Sequence, residues 1–382
     1  MQTYFDHNAT SPLHPEVLEA ILPYLNNAVG NASSLHSAGR AARSAIETAR
    51  GQVAELVNCS TDSVIFTSGG SEANNLLLKG FLDPTDARPV ISSEIEHPSV
   101  LQPLLQLEQC GHQVIRLRSE SSGQVDLKAA RPVLRVNDPQ ILTVQLANNE
   151  TGVLQPVQQL VELIDPGRCL THTDATQVVG KLPLDMKQLG VDALTLSAHK
   201  MQGPQGIGAL IVNHKPRQVL ISGGEQEKNR RAGTENVAMI VGLGKAAQVA
   251  RLEMQQKSHH LLQLRELFES KLEAIPGVVF FGRESARLPN TTYFSLPYYH
   301  GETLLMELDR SGFALASGSA CHSQVNKASH VLTAMGVDEG LALNAVRASF
   351  GMSNTLQEVD ALVSKLQDLI NKLPAVIRQA AV

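Results

Sequence analysis

Between residues 64 and 212, short runs rich in β-branched and aliphatic residues alternate with stretches of helical periodicity, and this alternation constrains the fold more than any other feature. Segments 64–67, 89–92, 113–117, 141–146, 169–172, 193–196 and 209–212 read as strands, most of them separated by helical segments. Strands joined through helices need crossover connections. The expected core is therefore an α/β unit with a mostly parallel sheet and helices on both faces. Ahead of it, Val17, Leu18, Ile21, Leu22 and Leu25 recur at helical spacing, with Pro23 as a bend, and Ala42, Ile46, Ala49, Val53 and Leu56 repeat the pattern. A proline-free helical stretch over 235–274 then leads out of the sheet unit. Strand-like segments 278–281, 291–296 and 345–350, with helices near 301–310 and 355–373, define a second, α+β unit. The expected division is 15–255 for the large unit, and 1–14 with 256–382 for the smaller one.

A chain of 382 residues that is 43% hydrophobic and 18% charged can bury cores for both units without staples. Its formal net charge of −5 gives no broad basic surface, which argues against nucleic acid as a direct partner. No apolar run reaches membrane-spanning length, and the first residues lack the charged lead and apolar stretch of a secretory signal. Cys59, Cys110, Cys169 and Cys321 include no C-x-x-C spacing, so neither a zinc ribbon nor a disulfide framework is expected. These features point to a cytoplasmic protein in a reducing compartment.

Ligands of open α/β sheets bind beyond the carboxyl ends of the strands, so the residues that follow each strand matter most. There the polar side chains gather: Ser68-Gly69-Gly70-Ser71-Glu72, Glu96-His97, Asn148-Asn149-Glu150, Thr173-Asp174-Ala175-Thr176-Gln177 and Ser197-Ala198-His199-Lys200. Singly, each has an ordinary explanation as a cap or a solvated loop. Together they describe a site, for which two chemistries compete. His97, His172, Asp174 and His199 are a possible ligand set for a metal-dependent hydrolase, although no H-E-x-x-H motif occurs. Pyridoxal phosphate needs a lysine, an acid for its ring nitrogen and an anion cradle, and Lys200, Asp174 and the Gly70-Ser71 helix start match those needs.

At this point the chain resembles the cysteine desulfurases, fold-type I pyridoxal-phosphate enzymes of the class V aminotransferase group. The resemblance rests on Asp6-His7-Asn8-Ala9-Thr10, the strand-end motifs above, Gly203-Pro204-Gln205-Gly206, Arg230-Arg231-Ala232-Gly233-Thr234, Ala316-Ser317-Gly318-Ser319-Ala320-Cys321 and Val346-Arg347, in that order. It implies pyridoxal 5'-phosphate joined to Lys200, with Asp174 at the pyridinium nitrogen, Gln177 on the ring hydroxyl oxygen and His97 stacked on the ring. It further implies a phosphate site of Gly70, Ser71, Ser197 and His199, completed by Thr234 across a homodimer interface. Asn149 would lie beside ring and substrate, and Arg347 would bind the carboxylate of L-cysteine. Gln202, Gln205, Glu225 and His322 depart from the commonest pattern beside these motifs.

Cys321 sits among small and polar residues that offer no core, unlike Cys169 in its apolar run, whose buried structural reading extends to Cys59 and Cys110. The resemblance makes Cys321 the catalytic thiol, with Lys200 and His97 moving protons: L-cysteine loses its sulfur to a Cys321 persulfide and leaves as L-alanine. The spacing from Cys321 to Val331-Leu332 is similar to the long-loop, iron–sulfur-cluster type. An iron–sulfur scaffold protein is then the expected acceptor, with tRNA-thiolation carriers as a second option. A selenocysteine or cystine lyase of the same fold is the alternative activity.

Overall fold

The computed structural model describes residues 2–296, 299–318 and 328–372. Its strands are β1 (Thr3–Tyr4), β2 (Val64–Thr67), β3 (Val90–Ser93), β4 (Val114–Leu117), β5 (Ile141–Thr143), β6 (Leu170–Asp174), β7 (Ala193–Ser197), β8 (Gly208–Val212), β9 (Val279–Phe280), β10 (Thr291–Ser295), β11 (Phe313–Ala314), β12 (Ala316–Ser317) and β13 (Ala345–Ser349). Seven form one sheet in the order β2-β8-β7-β6-β5-β3-β4, in which β8 alone runs against its neighbours. Every residue of β2, β3, β5, β7 and β8 is buried, as expected of a sheet covered on both faces, whereas Arg116 on edge strand β4 is exposed. The mostly parallel sheet and its flanking helices agree with the sequence expectation.

The expected strand over 141–146 is shorter, ending at Thr143. Beyond it, the Val144 and Leu146 amides still donate to the β6 carbonyls of His172 and Asp174, but the Gln145 amide turns to the Glu96 carboxylate instead of β3. The sheet thus opens on one side where a cavity begins.

The helix Val237–Leu272 spans 36 residues, about 54 Å at 1.5 Å per residue. Its first half packs on the helices Pro15–Asn26 and Ser37–Val57 and contributes Ile240, Leu243 and Ala247 to the large core. Gly244 permits this closeness, since a Cβ there would lie 2.5 Å from the Ala49 Cα. Its second half gives Leu261, Leu264 and Phe268 to another core shared with Phe294, Val346 and the helix Leu356–Asn371. A four-stranded antiparallel sheet, β12-β13-β10-β9, lies there. The chain's start joins the same region, because β1 pairs with β11 and Asp6 bridges to Ser349.

Two expectations about cysteines change. Cys169 is buried, but Cys59 is only partly covered, and Cys110 is exposed at the C-cap of the helix Pro98–Gln109, just before Gly111 turns the chain at φ +91°. Cys321 lies outside the described residues. Among those residues, no helix is long and apolar enough to cross a membrane.

Candidate active site

The carboxyl ends of β3, β5, β6 and β7 open into a cavity of about 280 Å³. Gly70, Ser71, His97, Asn149, Asp174, Gln177, Ser197, His199 and Lys200 all line it, so nine of the sequence-predicted residues converge. Thr234 and Arg347 are not in its lining. Thr234 is exposed, and Arg347 is buried behind Asn149, donating through Nη1 to the Asn149 carbonyl and through Nη2 to Asp6 Oδ1 at 2.5 Å.

At one end, the helix Gly70–Gly80 begins with Gly69 at its N-cap and no side chain capping it, so its first amides face the cavity end where Ser71, Ser197 and His199 stand. Gly208 allows the turn to sit this low, since a Cβ there would lie 2.8 Å from Gly69 Cα. This end continues into a surface groove lined by Thr10, Ser68, Gln205 and Gly206. Burial, then the neighbouring Lys200, push the His199 imidazole down to about 4, which leaves it neutral at pH 7.

In the middle, Asp174 ends β6 with its carboxylate oriented from two sides. Asn74 donates to Oδ2 at 2.8 Å and the Thr176 amide to Oδ1 at 2.9 Å. Asn74 also donates to Ser99 Oγ, which lies 2.8 Å from His97 Nδ1. The His97 ring caps the helix Pro98–Gln109 by accepting from the Ser99 amide through Nδ1, so in the neutral ring the proton sits on Nε2. Lys200, in a short turn after β7, donates to the Asn8 and Ala9 carbonyls, tying the chain's start to the sheet.

Two acids lie under the site. Glu96, fully buried, accepts from Ser93 Oγ and the Gln145 amide, and burial pushes its carboxyl up to about 8. Glu150 accepts from Ser329 Oγ at 2.5 Å and is pushed up to about 7 by burial. The side chain of Asn148 shapes the loop between them and Asn149, accepting the Glu150 and Thr151 amides.

Sequence reasoning quoted Asp6 and Asn8 within a motif without giving them a role, and did not single out Asn74. Asn74 stands one helical turn after Gly70, a spacing that puts both on one face. Asp6 and Asn8 carry no such signal, because their partners lie hundreds of positions away. His172, a candidate metal ligand, instead places its ring nitrogens 2.8 and 3.0 Å from Thr143 and Thr195 within the sheet. Among the described residues, no group of three or more His, Cys, Asp or Glu side chains could hold a metal ion.

The arrangement fits pyridoxal phosphate. It supplies an amine, an oriented carboxylate and an uncapped helix start, and Thr176 Oγ1 and Asn74 Oδ1 are buried beside them without a hydrogen-bond partner. Residues 3–362 match the profile of the family described as Aminotransferase class-V. A cysteine desulfurase IscS of Dictyoglomus turgidum is 41% identical over 376 residues, covering 97% of this chain and 95% of that protein. A solved NifS-like protein superposes with a TM-score of 0.91 at 33% identity, over 98% of this chain and 100% of its own. A structure described as SspA in complex with cysteine gives 0.81 at 31% identity, over 93% of this chain and 100% of its own. With these relatives spanning both units, the chain belongs to the class V aminotransferase family, among the cysteine desulfurases.

Proposed function

We propose that the chain removes sulfur from L-cysteine, releases L-alanine and holds the sulfur as a persulfide on Cys321 for an acceptor protein. The observation that carries this reading is the convergence of Lys200, Asp174 and the bare start of the helix Gly70–Gly80 on one cavity. Bound pyridoxal 5'-phosphate supplies an electron-accepting ring to which the substrate amine is joined. Asp174, fixed by Asn74 and the Thr176 amide, keeps a proton on the ring nitrogen. Gln177 would donate to the ring hydroxyl oxygen, and Gly70, Ser71, Ser197 and His199, which line the same cavity, would hold the phosphate. The Lys200 amine takes the Cα proton, and His97, protonated on Nε2, moves a proton at the substrate thiol. Asn149 borders the substrate. Arg347 would bind its carboxylate, and the hydrogen bond that sets the Arg347 guanidinium against the Asn149 carbonyl, beside the cavity-lining Asn149, supports that role. The Cys321 thiolate attacks the substrate sulfur as the Cβ–S bond breaks; the substrate carbon keeps the electron pair needed for L-alanine once protons are added.

The same reading makes the protein a cytoplasmic homodimer. Thr234 is exposed, and the cavity's phosphate end opens into a surface groove, which together support completion of that site by a second subunit's Thr234. The long-loop spacing after Cys321 favours delivery to an iron–sulfur scaffold protein. Purified protein with pyridoxal phosphate is expected to be yellow, and borohydride reduction is expected to fix the cofactor on the peptide carrying Lys200. A reduced cofactor on another lysine, or none at all, would overturn the reading.

A further inference from the structure

Lys181 is an amine that the chemistry above does not use. It follows β6 by one loop, is 3% exposed, and has no ion-pair partner among the described residues. Its Nζ donates to Gln177 Oε1 at 3.0 Å and to Asn8 Oδ1 at 2.8 Å. A buried lysine without a carboxylate is costly to keep. Burial, together with Lys200, Lys257 and Arg347, holds this amine well below its ordinary value, and His7 faces it from the chain's start.

The geometry explains what the amine does. Gln177 donates through Nε2 to the Asn8 carbonyl at 3.0 Å, the same carbonyl that accepts from Lys200. Were the Gln177 amide turned over, its NH2 would meet the Lys181 amine, donor against donor, and its oxygen would meet the Asn8 carbonyl. A charged Lys181 has donors only; a neutral one could accept as well, but a turned-over Gln177 oxygen would still face the Asn8 carbonyl, so the orientation holds in either state.

We propose that Lys181 is a positioning residue that locks the Gln177 amide with its oxygen on Lys181 and its NH2 on the Asn8 carbonyl that Lys200 shares, so that the second N–H of this amide is the fixed donor for the cofactor's ring oxygen. This rests on the pyridoxal-phosphate reading of the cavity. The test is a cycle of Lys181→Met and Gln177→Leu in the full chain, read as the Kd of pyridoxal phosphate for the apoprotein and as the pH midpoint of the bound cofactor's colour change. Lys181→Met is expected to weaken cofactor binding about tenfold and to move the midpoint by about one pH unit, as loss of one oriented hydrogen bond would. In the Gln177→Leu background it is expected to change Kd less than twofold and leave the midpoint in place. Equal losses in both backgrounds, or no loss in the parent, would overturn the proposal. Should Lys181→Met fail to fold, Lys181→Gln carries the same cycle, because its shorter chain withdraws the amine; the expected loss is then at least threefold in the parent only. Failure of the parent apoprotein to bind pyridoxal phosphate would instead overturn the reading of the cavity.

Discussion

Among single residues, Glu96 couples the site to pH in the most readable way. Its carboxyl, raised by burial from an ordinary 4.5 to about 8, keeps a proton in the folded protein that the unfolded chain releases. The stability it supports is therefore present below pH 4.5 and is lost as pH rises toward 8. His7, His172 and His199, pushed down to about 4, act with the opposite sign and lose stability as pH falls from 6.5 toward 4. Glu96→Gln keeps an acceptor for Ser93 and the Gln145 amide while removing the titration. Relative to the parent, this variant is expected to gain on the order of 1–3 kcal/mol between pH 5 and 8.5, read from unfolding midpoints. The histidines are common to both proteins and cancel in that difference; an unchanged difference across the range would contradict the account. The thiols divide on similar grounds, since burial pushes Cys59 up to about 11 and Cys169 up to about 12, where neither is a nucleophile at neutral pH.

At the scale of elements, the segment before Thr234 is built under strain. Glu227, Lys228 and Asn229 are consecutive non-glycine residues with φ of 48°, 57° and 61°, each costing about 1–3 kcal/mol. What holds them is a buried pair: Glu227 accepts two hydrogen bonds from Arg50 and one from the Phe66 amide. Glu227→Ala would leave the buried Arg50 with only the exposed Glu47 carboxylate and the Val64 carbonyl as partners. It is expected to lower stability by about 3–5 kcal/mol, measured by denaturant unfolding. A loss below about 1 kcal/mol would mean that the pair does not hold the segment. Elements of this kind mark the limit of sequence reading. The parallel strands were legible because each run is rich in aliphatic and β-branched residues, and the long helix because its pattern ran unbroken. The early end of β5 was not, because it depends on the Glu96 carboxylate 49 positions away.

For the whole molecule, the candidate site was legible wherever a strand end carries its chemistry on adjacent residues, as with Asp174 and Gln177 or Ser197, His199 and Lys200. It was illegible where the fold brings distant pieces together. The first ten residues contribute Asp6 to Arg347, the Asn8 side chain to Lys181 and the Asn8 carbonyl to Lys200, and no local pattern announces such pairings. The result is a cavity bordered by Ala9 and tied to the chain's start through the Asn8 and Ala9 carbonyls that accept from Lys200. The account's central claim is that sulfur leaves L-cysteine through Cys321. The most direct test is mass spectrometry of the pyridoxal-phosphate-loaded protein, quenched after one turnover with L-cysteine and digested. The account predicts one added sulfur atom on the peptide carrying Cys321, matched by one L-alanine released. L-alanine formed with that peptide unmodified, or with the sulfur on Cys59, Cys110 or Cys169, would contradict it.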